Sequence, residues 1–163
     1  MAEYKFVDHW TIRAPIDVVY GHIVDPRTYP QWWRDYDRVT VLVEAPYPYV
    51  GGRAEFLVRS PFGYRLRLDV TITAADPPRS ITTETRGQLV GTGIWEFREV
   101  DGATEVTFTW IVRTNHPLIN RLEWFAKPLF ALSHAIVSGR GHRGLKRLLE
   151  RGRLPVVSRS VGQ

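Results

Sequence analysis

The feature that most constrains this chain is a series of strand-like segments between residues 38 and 114, separated by turn residues. In the segment YRLRLDVTIT, residues 64–73, apolar side chains alternate with polar and charged ones, as in a half-buried strand. The dipeptide Asp101-Gly102 is typical of a tight hairpin turn. Consecutive hairpins build an antiparallel sheet with one apolar face, and helices are needed to cover that face.

The N-terminal part supplies one more strand and two short helices. Residues 4–13 alternate between apolar and polar side chains, which predicts a strand that ends at Ala14-Pro15. Apolar residues at helical spacing follow from Ile16 to Ile23. Asp25-Pro26 then predicts the start of a second short helix, which carries two adjacent tryptophans, Trp32 and Trp33.

The last predicted element is a long amphipathic helix over residues 117–151, in which Pro128 should either introduce a kink or interrupt the hydrogen-bond ladder. Its periodic apolar positions are Leu118, Leu122, Phe125, Leu129, Leu132, Ile136 and Val137. With about seven strands and three helices, the fold class is α+β. We expect one domain over residues 1–152 and a flexible tail over 153–163.

Several classes of protein are excluded or disfavoured by composition. The chain has no cysteine, so it has no disulfide, no thiolate metal site and no cysteine nucleophile. No His-x-x-x-His spacing is present, and we expect neither a metal nor another cofactor. The N-terminus lacks a signal-peptide pattern and no apolar run is long enough to span a membrane, so a cytoplasmic location is expected.

The net charge of +5 is concentrated near the C-terminus. The basic residues there are Arg140, Arg143, Lys146, Arg147, Arg151, Arg153 and Arg159. Two interpretations remain open: a solvated helix end whose cations oppose the helix dipole, or a surface for an anionic partner.

A glycine motif in the same helix resembles a dinucleotide-binding pattern. Residues 139–144, GRGHRG, match G-x-G-x-x-G, but they follow a helix rather than a strand and no βαβ unit can follow. We expect instead that Gly141 and Gly144 lie on the inner face of the helix with Val137 and Leu148, and allow close contact between helix and sheet.

Four segments carry a family resemblance: WTIRAPIDVVYGHIVDPRTYPQWW at 10–33, GTGIWEF at 91–97, VDGATEVTFTW at 100–110 and HAIVSGRGHRGLKRLL at 134–149. In these the chain resembles the polyketide cyclase/dehydrase and lipid-transport family of the START-like, pollen-allergen-like superfamily. The resemblance implies a helix-grip fold, in which a curved antiparallel sheet wraps the C-terminal helix around a hydrophobic cavity. It specifies the fold better than the chemistry, since fold alone does not define function.

We expect the cavity to be lined by aromatic and aliphatic side chains, together with one histidine. The candidate ligand-binding residues are Trp10, Trp32, Trp33, Tyr64, Leu66, Trp95, Phe97, Phe108, Trp110, Phe130, His134 and Val137. The two adjacent tryptophans can both pack the core or the joint between helices, but we expect one of the two to face the cavity.

Two polar residues on apolar faces are the candidates for catalysis. Asp8 shares its strand face with Trp10 and Ile12, and His134 lies in mid-helix. A carboxyl group buried without a partner acquires a raised pKa, as a general acid requires. Asp8 can equally be a strand-end residue that reaches water, and His134 a core or surface histidine.

The leading hypothesis is therefore a protein that binds a hydrophobic or aromatic small molecule of the lipid, sterol or polyketide class, as a monomer or homodimer. The first alternative is a polyketide cyclase or aromatase that uses acid and base groups in the cavity, although no acid/base pair is evident in the sequence. The second is nucleic-acid or anionic-membrane binding through the basic helix; we expect no nucleic-acid partner.

Overall fold

The chain forms a seven-stranded antiparallel sheet that packs against helices. A computed structural model describes residues 3–115, 121 and 123–151. The strands are β1 (Glu3–Ile12), β2 (Tyr36–Val43), β3 (Arg53–Arg59), β4 (Arg65–Asp76), β5 (Ser80–Gly87), β6 (Leu89–Val100) and β7 (Ala103–Thr114). The helices are α1 (Ile16–Val24), a 3-10 turn (Pro26–Thr28), α2 (Tyr29–Trp32) and α3 (Glu123–Glu150).

The strand order is β1-β7-β6-β5-β4-β3-β2, so the first two strands in sequence form the two edges of the sheet. The strands β2 to β7 are a meander of hairpins, as the turn residues predict. The short helices α1 and α2 carry the chain from one edge to the other. The predicted α+β helix-grip architecture is confirmed.

The register of β1 on β7 places the inner face of the first strand beside the aromatic residues of the last. Phe6 is opposite Trp110, and Asp8 is opposite Phe108. Because side chains alternate along a strand, Tyr4, Phe6, Asp8, Trp10 and Ile12 all point to the inner face. Asp8 therefore lies on an otherwise apolar surface.

One end of the sheet is closed by α1. Val19, Tyr20 and Ile23 of this helix are buried, and the Tyr20 ring packs edge-on against Phe97 of β6 at 5.0 Å between centroids. The Tyr20 hydroxyl donates to the Ser80 carbonyl at 3.0 Å. Burial, with the nearby charges of Tyr47 and Asp76, raises the pKa of Tyr20 to about 12.

The predicted helix at 117–151 is observed over Glu123–Glu150 with Pro128 inside it; residues 116–120 and 122 and the expected tail at 153–163 lie outside the described part. Its predicted core face is partly wrong. Phe125, Leu129 and Leu132 are exposed, while the buried positions are Phe130, Ser133, Ser138, Gly141 and Leu145. Leu148, expected on the inner face, is also exposed.

No helix in the described ranges is long and apolar enough to cross a membrane.

Candidate functional site

A cavity of about 150 Å³ lies between the inner face of the sheet and the helices α2 and α3. Its apolar walls come from strands β3 to β7 and from one side of α3. Aromatic side chains dominate these walls: Tyr29, Trp33, Tyr36, Tyr49, Phe56, Tyr64, Trp95, Phe108, Trp110 and Phe130. Pockets that hold small molecules are typically lined in this way, with few polar groups.

Most of the residues that the sequence predicted for the cavity meet there. Those that line it are Asp8, Trp33, Tyr64, Leu66, Trp95, Phe108, Trp110, Phe130, His134 and Val137. The structure places Trp10, Trp32 and Phe97 outside the lining. Phe97 packs under α1. Trp10 packs edge-on against two residues of the cavity wall, Trp33 and Trp95, at 5.5 and 5.6 Å between ring centroids.

The two adjacent tryptophans have different roles. Trp33 lines the cavity and its indole N–H donates to the Val137 carbonyl of α3 at 2.8 Å. Trp32 is buried, and its indole N–H donates to Thr28 Oγ1 at 3.1 Å within the same short segment. One tryptophan therefore lies at the cavity wall and the other in the core.

The glycine motif explains how α3 approaches these tryptophans. A Cβ on Gly141 would overlap the ring of Trp33, and a Cβ on Gly144 would overlap the carbonyl oxygen of Trp32. The close contact expected from the two glycines is present, but the expected partner was wrong. At these two glycines the partner is the Trp32–Trp33 segment at the end of α2, not the sheet.

Asp8 and His134 form a pair in the cavity wall. His134 Nε2 lies 2.7 Å from Asp8 Oδ2, and the two side chains are 14% and 17% exposed. The imidazole stacks on Phe6 at 4.0 Å and lies 5.6 Å from the ring of Trp110. A carboxylate that accepts from Nε2–H leaves Nδ1 as the basic nitrogen of a neutral imidazole.

A second polar contact joins the β3–β4 loop to α3. Ser60 and Ser133 are both buried and their hydroxyl oxygens are 3.0 Å apart. Ser60 also accepts from the Phe62 amide, and its own amide donates to the Tyr64 carbonyl. Ser60, Tyr64 and Ser133 all line the cavity, so this network fixes its wall beside His134.

Charged side chains in the lining are all paired. Arg27 contacts Asp25 at 3.2 Å and Glu44 at 3.5 Å. Arg53 contacts Asp69 at 2.5 Å, and Arg59 contacts Asp37 at 3.0 Å. Together with the Asp8–His134 pair, these contacts account for every charged group in the lining that the structure describes. Such a wall offers no uncompensated cation for an anionic ligand.

The exposed lining residues indicate where the cavity opens. Val43 is opposite Arg53 in the sheet, and Arg27 reaches Glu44 across the gap between the 3-10 turn and β2. These four residues are exposed, as is Arg59 at the end of β3, whereas Asp8, Phe108, Trp110 and His134 are only partly exposed. The loop that follows, residues 45–52, also contributes Ala45, Tyr49 and Gly52 to the wall.

Sequence reasoning missed several lining residues. Tyr29, Tyr36, Phe56 and the pair Ser60–Ser133 carry no local signal beyond an apolar or small side chain. Burial raises the pKa of both Tyr29 and Tyr36 well above that of an ordinary phenol, so both remain uncharged. Ser133 adjoins His134, and its position on the inner helix face was the available clue.

Metal-binding side chains do not gather in the part of the chain that the structure describes: no three His, Asp or Glu residues converge there.

The glycines of β6 lie where a neighbouring group leaves no room for a side chain. A Cβ on Gly93 would lie 2.7 Å from Thr83 Oγ1 and 3.0 Å from the Phe108 ring, which stacks on Trp95 at 4.0 Å. These glycines therefore permit close approach of neighbours and do not open space.

A sheet curved around a helix, with an aromatic cavity between them, defines the helix-grip class of ligand-cavity proteins. Within this class, residues 4–150 match the family described as polyketide cyclase / dehydrase and lipid transport. The chain belongs to that family, which is associated with hydrophobic ligand binding and with polyketide cyclisation.

Solved structures agree in fold. The protein TTHA0849 from Thermus thermophilus is 15% identical with a TM-score of 0.75, covering 93% of this chain and 100% of its own. A START superfamily protein from Mycobacterium smegmatis is 11% identical (TM-score 0.73), covering 90% and 97%. The di-domain aromatase/cyclase BexL, from the BE-7585A biosynthetic pathway, is 18% identical (TM-score 0.73); 91% of this chain matches 50% of it. No curated protein matches the chain.

Proposed function

We propose that this protein binds an uncharged hydrophobic or aromatic small molecule in the cavity between the sheet and α3. The observation that carries the proposal is an aromatic-walled cavity that contains one polar pair, Asp8 and His134, in a wall whose other charges are compensated. An apolar molecule gains free energy by leaving water for such a wall, at about 25 cal/mol per Å² of apolar surface. An anion would lose its hydration without finding a free cation.

The volume limits how much of a ligand can be enclosed. A cavity of about 150 Å³ is the size that encloses about one aromatic ring. A larger molecule of the lipid, sterol or polyketide class would extend toward the open end near Arg27 and Glu44. The loops at 45–52 and 60–64 and the helix around Pro128 would then regulate access, the second loop being tied to α3 through Ser60 and Ser133.

Orientation of the ligand is assigned to the Asp8–His134 pair. With Nε2–H held by the carboxylate, the imidazole can accept a hydrogen bond from a ligand hydroxyl through Nδ1. A phenol or enol group at this end and an apolar body among Trp95, Phe108 and Trp110 would use both parts of the wall. Trp10, Trp32 and Phe97, which were predicted to bind the ligand, would contribute to binding only indirectly, by packing behind the residues that line the cavity.

The first experiment is native mass spectrometry of the purified protein, followed by solvent extraction of whatever is released. A co-purifying apolar molecule would identify the ligand class. In parallel, tryptophan fluorescence should respond to 2-naphthol and much less to 2-naphthoate, which has the same rings and a negative charge. An apo mass together with no response to either compound would contradict the proposal. Equal fluorescence responses to 2-naphthol and 2-naphthoate would contradict only the preference for an uncharged ligand, not binding in the cavity.

The second candidate function is a cyclase or aromatase that acts on a poly-β-ketone. The observation that favours it is the contact of 2.7 Å between Asp8 and His134, since a histidine oriented by a carboxylate is a common general base. His134 would take a proton from a carbon between two carbonyl groups. The carbanion would attack a ketone carbon, and the protonated imidazole would return the proton to the new alkoxide. Asp8 would be a positioning residue.

Turnover of a β-polyketone surrogate tests this candidate separately from binding. We expect His134→Ala to lower kcat by about 100-fold or more while fluorescence still reports binding. Asp8→Asn retains an acceptor for Nε2–H but loses the charge, and should give an intermediate kcat. If His134→Ala leaves turnover unchanged, His134 is not the base and this mechanism is wrong. If the wild type shows no turnover, the activity itself is absent and the proposal of ligand binding stands alone.

A further inference from the structure

The first half of α3 carries its apolar side chains on the outside. Trp124 is 82% exposed, Phe125 62%, Leu132 52% and Leu129 39%. We call these four residues the outer apolar face. The opposite side of the same turns presents Phe130 and two buried polar residues, Ser133 and Ser138, to the interior. This amphipathicity is the reverse of that of an ordinary surface helix, whose apolar stripe faces the core.

The outer apolar face is continuous along the helix. Phe125, Leu129 and Leu132 are spaced by four and three residues, so they form one stripe, and Trp124 lies beside it. Phe62, in the loop held to α3 through Ser60 and Ser133, is also 44% exposed. Contiguous exposed apolar surface of this kind marks an interaction site rather than ordinary protein surface.

Charge identifies the partner. From Trp124 to Leu149 the helix contains no Asp or Glu, and its basic residues are Lys127, Arg140, Arg143, Lys146 and Arg147. Arg140 forms an ion pair with Asp35 at 2.9 Å. Arg143 and Arg147 are exposed and continue the stripe of Phe125, Leu129 and Leu132 at helical spacing. One side of α3 is therefore apolar in its first half and basic in its second.

We propose that this side of α3 docks on the surface of an anionic membrane. Trp124, Phe125 and their neighbours enter the interface between headgroups and acyl chains, where amphipathic aromatic rings are favoured. Arg143 and Arg147 lie over the anionic headgroups, where each cation contributes about 1 kcal/mol. The protein lies on the membrane and does not span it.

Other occupants fit less well. A second copy of the chain would bring two basic surfaces together without a carboxylate between Trp124 and Leu149 to compensate them. A nucleic acid would pair with the cations and leave the outer apolar face uncovered. The proposal is independent of the ligand, although the turns that dock are also those whose Phe130 and Ser133 line the cavity.

Vesicle co-sedimentation tests the proposal, with phosphatidylcholine vesicles compared with vesicles that also contain phosphatidylglycerol. We expect binding to the anionic vesicles that weakens with salt. Trp124→Ser with Phe125→Ser should weaken it by at least about tenfold. The matched control is Val7→Ser with Val90→Ser, which removes apolar groups that are 48% and 39% exposed on the sheet and should leave binding unchanged.

Two further measurements assign the contacts to the two halves of the helix. Brominated acyl chains should quench wild-type fluorescence on binding, and Trp124→Phe should remove most of the quenching while retaining binding. Of the other five tryptophans, Trp10, Trp32, Trp33 and Trp95 are buried and Trp110 faces the internal cavity. Arg143→Gln with Arg147→Gln should reduce both the affinity and its salt dependence.

The proposal is overturned by any of three results. The first is an absence of binding to anionic vesicles at low ionic strength. The second is full binding by the Trp124→Ser, Phe125→Ser variant, which would leave only a general electrostatic attraction. The third is a dimer in sedimentation that this variant dissociates, which would make a second copy the occupant of the outer apolar face.

Discussion

Gly144 of α3 lies against the backbone of Trp32 so closely that no Cβ fits between them. One turn earlier, Gly141 lies in the same way against the ring of Trp33. The two adjacent tryptophans and the two glycines are thus complementary parts of one helix contact. The contact fixes the C-terminal half of α3 and holds Trp33 at the cavity wall, where its N–H bonds to Val137.

The effect of a glycine-to-alanine substitution on the free energy of unfolding should therefore depend on its position in α3. Gly144→Ala should destabilise the fold by about 1–3 kcal/mol, because the added methyl group displaces the backbone of α2. Gly139→Ala is the control in the same helix, since its Cβ would meet only the end of the Arg143 side chain at 3.8 Å. It should stabilise by about 0.5–1 kcal/mol. Urea unfolding measures both; equal effects would contradict the packing argument.

A buried ion pair anchors α3 next to this contact. Asp35 is 4% exposed and accepts from Arg140 through Oδ1 at 2.9 Å, while its Oδ2 is buried without a hydrogen-bond partner among the described residues. Arg140→Gln should cost about 2–4 kcal/mol because the carboxylate stays buried without its cation. Adding Asp35→Asn should recover much of this loss. The exposed Arg143→Gln should change the free energy of unfolding by less than about 0.5 kcal/mol.

The outcome that would argue against this pair is a double variant as unstable as Arg140→Gln alone. The loss would then come from packing of the arginine side chain rather than from an uncompensated charge.

Stability should fall at alkaline pH because of Tyr20. Burial raises its pKa to about 12, whereas an unfolded tyrosine titrates near pH 10. Above pH 10 the unfolded state releases a proton that the folded state keeps, so the free energy of unfolding decreases as pH rises toward 12. Tyr20→Phe should make this decrease less steep, with Tyr29 and Tyr36 supplying the remainder. Urea unfolding between pH 9 and pH 12 would show an unchanged slope if Tyr20 were not responsible.

The alternation of apolar and polar residues, together with the turn residues, was sufficient to predict the sheet. Alternation in segments such as residues 64–73 and turn residues such as Asp101-Gly102 are local signals, and each strand of the meander pairs with a neighbour in sequence. The helix at the C-terminus was also predictable, but not which of its faces is buried. Periodicity favoured Phe125, Leu129 and Leu132 for the core, whereas the interior of this protein accepts Ser133, His134 and Ser138.

The site could be predicted only in part, because it depends on contacts between distant segments. Asp8 and His134 were each identifiable as polar residues on apolar faces, yet 126 positions separate them and no local pattern predicts that they meet. Trp10 and Phe97 are as aromatic as Trp95 and Phe108 and occupy the same inner face. Only the position of α1 and α2 over the sheet decides which of these rings reach the cavity.

Phe108 and Phe97 offer a direct comparison of cavity wall and core. Phe108 lines the cavity and stacks on Trp95, while Phe97 packs against Tyr20 under α1. Substitution of either by Leu should destabilise by about 1–2 kcal/mol, because both rings make extensive apolar contacts. Only Phe108→Leu should weaken the fluorescence response to 2-naphthol, by several-fold, since the ligand would lose an aromatic contact of about 1 kcal/mol. Equal losses of affinity in the two variants would mean that binding follows overall stability and not contact with the cavity wall.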